Sequence, residues 1–208
     1  MNVHNLFPIP VGEFYLGRAF TTDESNFVDQ QPTHKNMGNT TSDDHYVLTH
    51  RTMAPLHDFV QSCVAEYFNA IYVPKNKVSL RVTQSWLNYS KPGEWHHKHS
   101  HANSFVSGVL YIKAAKDSDK IYFYKDGYRQ LEFPASNYNV YNSQSWWLPV
   151  ETGKLMLFPS SLTHSVEPVQ AEDTRISLAF NTFPVGHMGQ EETLTALYLG
   201  NENPKITS

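Results

Sequence analysis

The second half of the chain is a succession of short segments in which apolar and polar residues alternate, and this pattern constrains the fold more than any other feature. The first segment starts at Val78–Thr83 and continues through Trp86 and Leu87. Side chains of a β-strand point alternately to opposite faces, so this alternation indicates strands. Later strand-like segments are Phe105–Ile112, Ile121–Tyr124, Trp146–Val150, Leu155–Phe158, Ser165–Val169 and Ile176–Phe183.

Turn residues such as Pro92-Gly93, Asp126-Gly127 and Thr152-Gly153 separate these segments. Many short strands without helices between them predict a mainly β sandwich or barrel. The 208 residues are enough for one compact domain. We therefore predict a single domain over residues 1–208, divided into an N-terminal extension with a supporting helix (1–77), a β core (78–186) and a C-terminal tail (187–208).

Helical periodicity is confined to a few places. Apolar residues recur at steps of three and four in Ala54–Tyr72, which predicts a helix that packs on a sheet; they are Leu56, Phe59, Val60, Val64, Phe68 and Ile71. A short helix is predicted near Asp23–Asp29, followed by a long loop to residue 50. Another short helix is predicted in the tail, at Glu191–Leu199.

Composition excludes several classes of function. The formal net charge is -4, and no basic stripe suggests a nucleic-acid partner. Cys63 is the single cysteine, which fits a reducing compartment and a buried apolar role. No signal peptide or membrane-spanning apolar run is recognisable. We therefore expect a cytoplasmic protein without a membrane partner, and we leave a homodimer open.

Histidines are the most distinctive chemical feature. The chain has eleven, and four of them lie at positions 96, 97, 99 and 101. A His-x-His pair on a strand sends both imidazoles to the same side. His99 and His101 could thus supply two ligands to one transition metal. A polar loop that merely carries histidines is the alternative.

Two further residues follow at the ends of later strands. His164 comes shortly after Phe158-Pro159, where it is either a third ligand or a hydrogen-bonded core histidine. Arg175 lies eleven residues later in an apolar run, with Ser177 on the same face. If Arg175 points inward it needs an anion, because a buried unpaired charge is very costly. If it points outward, Glu172 and Asp173 are its expected partners.

Taken together, these motifs resemble those of the Fe(II)/2-oxoglutarate oxygenases of the prolyl-4-hydroxylase-like superfamily. Within that superfamily, the motifs look more like those of an uncharacterised group from bacteria and phages. It rests on HSHANSFVSGVLY (99–111), GKLMLFPS (153–160) and RISLAFN (175–181). The resemblance covers roughly residues 78–183. It implies a double-stranded β-helix, or jelly roll, with Fe(II) as the metal and 2-oxoglutarate as co-substrate.

The chain departs from the superfamily at one position, because His101 stands where a carboxylate is usual. The metal is then held by three histidines, or by a carboxylate such as Glu94, or by another combination that includes His96 and His97. We favour His99, His101 and His164, since these positions keep the register of the pattern.

The resemblance also implies roles for residues around the metal. Arg175 would bind the distal carboxylate of 2-oxoglutarate, which is decarboxylated to succinate as an unidentified small-molecule or protein substrate is hydroxylated. The histidines 99, 101 and 164 together with Arg175 are the predicted catalytic residues. The predicted co-substrate pocket consists of Arg175, Ser177, Tyr111, Ser107, Asn88 and Asn181. The alternatives are a non-redox cupin-like isomerase, a ligand-binding module and a structural protein that has lost its chemistry.

Overall fold

The computed structural model describes residues 1–127 and 134–200, which form two antiparallel sheets and two α-helices. The large sheet has the order β1-β9-β6-β11-β4-β3-β2, with β12 paired to β11, and the small sheet has the order β5-β10-β7-β8. The strands are β1 (Gly12–Tyr15), β2 (Thr33–Lys35), β3 (Thr40–Ser42), β4 (Val78–Ser90), β5 (His96–His99), β6 (Val106–Lys113), β7 (Lys120–Tyr124), β8 (Ser145–Pro149), β9 (Lys154–Pro159), β10 (His164–Val166), β11 (Arg175–Met188) and β12 (Leu197–Leu199). The helices are α1 (Thr22–Asp29) and α2 (Ala54–Tyr72).

The central strand β11 is buried on both faces, because it lies between helix α2 on one side and the small sheet on the other. Its residues Ile176, Leu178 and Phe180 belong to the core that packs against α2. The alternate residues, which begin with Arg175 and Ser177, face the cavity between the two sheets. This layered, mainly antiparallel arrangement confirms the predicted double-stranded β-helix.

Helix α2 has the predicted bounds and supports the large sheet. It starts with a proline in its first turn, where a missing N–H is tolerated, and ends at Val73 in the left-handed conformation. Its stripe is buried through Leu56, Val60 and Phe68, while Phe59 is partly buried. Ile71 departs from the predicted stripe and is 44% exposed.

The N-terminal extension contributes more to the sheet than the sequence suggested. Helix α1 has a capping box, in which the Thr21 side chain accepts from the Glu24 N–H and the Glu24 carboxylate accepts from the Thr21 N–H. The predicted loop that follows contains β2 and β3, and β3 pairs with β4. These strands of three residues are too short to show a recognisable period. The division at residues 77 and 186 stays a prediction.

The predicted tail helix at Glu191–Leu199 is wrong. Residues 191–194 form a turn, and β12 pairs its residues Leu197–Leu199 with Gly186–Met188 of β11. The unpaired backbone groups of the long strand β11 provide the edge on which this segment forms a strand.

Two other observations bear on composition. In residues 1–127 and 134–200, neither helix is long and apolar enough to cross a membrane. Cys63 is buried in the core, as predicted, and burial raises the pKa of its thiol to about 11. A thiol with so high a pKa is not a nucleophile at neutral pH.

Candidate metal centre and adjoining pocket

Three histidines converge where the two sheets meet at one end of the sandwich. His99 ends β5, and its backbone neighbour in the small sheet is His164, the first residue of β10. The His101 N–H donates to the Ser160 carbonyl, which fixes the segment after β5 beside the large sheet. The ring centroids of His99, His101 and His164 are 4.4–5.1 Å apart. Their nitrogens form a group with the spacing of metal ligands.

Each of the three rings has its Nδ1 atom held by an oxygen. The His99 Nδ1 lies 2.7 Å from the His97 carbonyl, and the His164 Nδ1 lies 3.0 Å from the Leu162 carbonyl. The His101 Nδ1 lies 2.7 Å from the Asn181 Oδ1. An oxygen of this kind accepts only, so each Nδ1 is the donor and each neutral ring has a free lone pair on Nε2.

The distance between His99 and His101 indicates that these lone pairs are suited to bind a cation. Their Nε2 atoms are 3.1 Å apart. With both Nδ1 atoms protonated, neither neutral ring has a hydrogen for this contact, so two lone pairs face one another. Two nitrogens at about 2.1 Å from one ion and at right angles to each other would be about 3.0 Å apart. The contact therefore fits two neighbouring ligands of a cation.

Burial keeps these imidazoles neutral. Desolvation, together with the smaller effect of the neighbouring histidines, lowers the pKa of His164 to about 3 and that of His101 to about 4. The pKa of His99 is also lowered, mainly by desolvation. Metal ligation requires the neutral form, so the ligand atoms are available at neutral pH without the loss of a proton.

The carboxylate alternative finds no support in the geometry. The Glu94 Oε2 accepts from the Lys91 N–H at 2.8 Å and caps a turn at the surface. Among the described residues, the two groups with metal-ligand spacing contain histidines alone. They are His99, His101 and His164, and a second group of His96, His97 and His99.

A pocket extends from the triad between the two sheets, with a cavity volume of about 30 Å³. The inward residues of three adjacent strands line one wall, because residues opposite each other in a ladder share a face. Ser177 of β11 lies between Asn88 of β4 and Tyr111 of β6, and Arg175 lies beside Ser90.

Arg175 points into this pocket, and its partner is a residue that the sequence reading did not identify. The Arg175 Nη1 donates to the Asp119 Oδ1 at 2.9 Å, and the side chains are 5% and 3% exposed. The Asp119 Oδ2 accepts from the Ala115 N–H, which fixes the carboxylate. The surface alternative is wrong, since Asp173 instead pairs with Lys113.

Polar atoms without partners lie beside the guanidinium. In the described part of the chain, the Tyr111 hydroxyl and the Asn88 Oδ1 are buried with no hydrogen-bond partner. Burial raises the pKa of the Tyr111 hydroxyl, so it remains protonated and is a free donor. Buried polar groups are nearly always satisfied, so these atoms indicate a ligand or ordered water in this part of the pocket.

Ser107 and Asn181 occupy a different place from the one expected. The Asn181 Oδ1 accepts from His101 and also from the Ser107 hydroxyl at 2.9 Å. The Ser107 hydroxyl also contacts the Ser160 hydroxyl at 2.8 Å. Both residues therefore lie behind His101, where they orient its ring and do not line the pocket.

Trp86 and Asp119 were missed as site residues, and His96 was named only as an alternative metal ligand. His96 lines the pocket, and Trp86 does so while stacking on His101 with ring centroids 5.7 Å apart. Asp119 belongs to the loop before β7. The alternation in β4 places Trp86 on the same face as Asn88, so Trp86 could have been predicted to line the site. No pattern in the sequence around Asp119 predicts its role.

Comparison with known proteins agrees with this geometry. Residues 84–181 match the sequence model of the family described as "Putative 2OG-Fe(II) oxygenase". That range contains all three histidines of the triad as well as Arg175. A search of curated proteins found no match.

Solved structures share the fold at low sequence identity. An oxidoreductase of the 2OG-Fe(II) oxygenase family from Burkholderia pseudomallei is 13% identical with a TM-score of 0.57, covering 83% of both chains. HygX from Streptomyces hygroscopicus, solved with nickel, 2-oxoglutarate and hygromycin B, is 14% identical with a TM-score of 0.55, covering 84% of this chain and 82% of its own. A prolyl-4-hydroxylase from Pseudomonas putida is 12% identical with a TM-score of 0.51, covering 83% and 92%.

The family's description names the iron(II) and 2-oxoglutarate that the sequence motifs implied. Residues 84–181 therefore resemble the 2OG-Fe(II) oxygenase family in sequence, and the chain shares the fold of a solved member of that family.

Proposed function

We propose that the chain is a hydroxylating 2-oxoglutarate oxygenase, with one Fe(II) held by His99, His101 and His164. The observation that carries the proposal is the single pocket that joins the three Nε2 lone pairs to an inward-pointing arginine. A metal site alone would fit many proteins, and a buried arginine alone is often structural. Their position in one cavity is what a small acid that chelates a metal requires.

The donor set fits Fe(II). Imidazole suits iron, zinc, copper and nickel, and three imidazoles on one side leave other coordination positions for a substrate and oxygen. When bound, the iron would supply oxygen activation coupled to decarboxylation of 2-oxoglutarate. The protein's part is to fix the ligand atoms, which the anchored Nδ1 atoms of His99, His101 and His164 do.

The other end of the pocket fits the distal carboxylate of 2-oxoglutarate. Arg175 keeps donors beyond the one that binds Asp119, and its Nη2 makes only a long contact of 3.5 Å with the Glu167 carbonyl. The Tyr111 hydroxyl is a second free donor beside it. Three neutral ligands also leave the full charge on the ion, which favours a dianionic co-substrate. In HygX, 2-oxoglutarate is the ligand found together with a metal.

We propose that the primary substrate is a small molecule or a protein side chain that is bound near the triad. A cleft lies between residues 4–11 and the segment around Val140–Trp146. Phe123 lines this cleft, and its ring centroid is 6.4 Å from that of His164. The cleft therefore opens close to the metal end of the pocket. Its lining is largely apolar and aromatic, so an apolar portion of the substrate would bind there.

The test has two stages. Under argon, 2-oxoglutarate binding is measured by calorimetry with and without Fe(II); we expect binding that depends on the metal and is lost in Arg175→Ala. Oxygen is then admitted with candidate metabolites and peptides, and succinate is measured along with a gain of one oxygen atom in the substrate.

Each result separates the alternatives. Iron binding without 2-oxoglutarate binding would support the cupin-like isomerase and would refute the oxygenase. Succinate formed together with a substrate that is oxidised but gains no oxygen would refute hydroxylation and retain the oxygenase.

A further inference from the structure

We propose that His96, His97 and His99 form a second position for a divalent transition-metal ion, which shares His99 with the inner triad. This inference goes beyond the proposed function and does not depend on it. The ligand nitrogens of the three residues all lie within 4.8 Å of one another, as do those of the inner triad. The ring centroids are 4.7–5.1 Å apart, against 4.4–5.1 Å in the inner triad.

An irregularity in the small sheet brings these rings together. His99 pairs with His164, but His96 pairs with Val166, so four residues of β5 lie opposite three of β10. Such a bulge breaks the alternation of side chains. As a result the rings of His96 and His99 stack at an interplanar angle of 16°, although their odd separation in a regular strand would place them on opposite faces.

The second observation is a nitrogen without a partner. The His97 Nδ1 is buried and accepts or donates no hydrogen bond among the described residues. The His96 ring likewise makes none within that part of the chain, and it lines the pocket. A buried imidazole nitrogen with no partner costs stability unless something binds it. A cation shared with His96 and His99 would satisfy it.

The chemistry of the donors defines the ion. A set of imidazoles without a carboxylate selects zinc, copper, nickel, cobalt or iron, and disfavours magnesium and calcium. His99 donates through Nδ1 to the His97 carbonyl, which leaves only its Nε2 as a ligand atom. That atom serves either position, so the two positions exclude each other and the protein binds one ion at a time. His97 is half-buried whereas His164 is 4% exposed, so the second position is the outer one.

The experiment uses Co(II) as the probe and needs neither 2-oxoglutarate nor turnover. In His101→Ala/His164→Ala, we expect one Co(II) to bind with weaker affinity than in the wild type, and with a changed visible spectrum. Adding His97→Ala should weaken this residual binding at least 10-fold. His97→Ala alone is the matched control, and it should keep the wild-type affinity because the inner triad is intact.

Residual binding that is equal in the double and triple variants would overturn the proposal. If circular dichroism shows that the double variant does not fold, His101→Asn/His164→Gln and the same variant with His97→Ala give the same comparison with a smaller change. Here too, equal affinities would overturn it. Because oxygen and 2-oxoglutarate are absent, failure of this test is distinct from failure of the oxygenase proposal.

Discussion

The two ends of the pocket are built by different means. At the metal end, three neutral rings are each held by one hydrogen bond to a carbonyl or amide oxygen, and burial keeps them neutral. At the other end, a charged Arg175 is buried against a charged Asp119. The metal end therefore lacks a countercharge of its own, whereas the arginine end already contains one.

This difference indicates how each end tolerates change. A neutral ligand can be removed at the cost of its own contacts. Removing one member of a buried ion pair leaves the other charge without compensation, which is far more destabilising. Substitutions at the arginine end should thus affect folding and co-substrate binding together, while those at the metal end should affect mainly metal binding.

The largest expected effect is that of Arg175→Ala. It strands the Asp119 carboxylate, and we expect a loss of about 3–5 kcal/mol in the free energy of unfolding along with the loss of 2-oxoglutarate binding. Arg175→Met/Asp119→Leu removes both charges and should recover most of the stability but none of the binding. Urea denaturation and calorimetry measure the two effects. An unstable double variant would contradict this account of the ion pair.

Next in size is His164→Gln. Loss of one ligand should weaken Fe(II) binding to the inner triad by at least about 100-fold, a larger effect than that of residues behind a ligand. The free energy of unfolding without metal should change little, because no charge is stranded. Metal titration followed by urea denaturation would check both statements. A collapse of the fold would place His164 in the same class as Arg175.

The histidines at the metal end should also make the free energy of unfolding of the metal-free protein depend on pH. The folded protein holds the pKa of His101 near 4 and that of His164 near 3, below the ordinary value of about 6.5. The unfolded chain then binds more protons, so stability falls as the pH drops from about 6.5 toward 3. His101→Asn should flatten this decline in a series of urea denaturations. An unchanged slope would show that His101 does not carry the shift.

The smallest effects are expected behind His101, where Asn181→Ala removes the acceptor of the His101 ring. Such residues orient a ligand ring and typically contribute about 10-fold to metal affinity. Ser107→Ala, one bond further away, should have less effect. Both are measured by Fe(II) or Co(II) titration. A larger effect for Ser107→Ala than for Asn181→Ala would contradict the proposed chain of support.

Much of the fold followed from the sequence because the central strands have a clear period. β4, β6 and β11 have long alternating or apolar stretches, and α2 has a helical stripe with a proline at its start. The short strands β2, β3 and β12 have three residues each, too few for a period. Their pairing with longer strands determines their conformation, and that is a tertiary effect.

The candidate site divides in the same way. His99 and His101 are close in sequence, and Arg175 stands out in an apolar strand, so local patterns identified them. Asp119 lies 56 residues before Arg175 along the chain, and the bulge beside His96 arises from the register of two strands. The ion pair and the bulge both depend on tertiary contacts and produce no recognisable pattern in the local sequence. They therefore could not be predicted before the structure was known.

Strand β11 carries both Arg175 and Asn181, and this has a consequence for the choice of co-substrate. They are six residue steps apart on one face of the strand. The spacing of the residues that support the two ends of the pocket is thus set by backbone pitch and cannot be adjusted by a loop. We therefore expect the pocket to select 2-oxo diacids by their length. Binding should be weaker for 2-oxo diacids that are one carbon shorter or longer than 2-oxoglutarate.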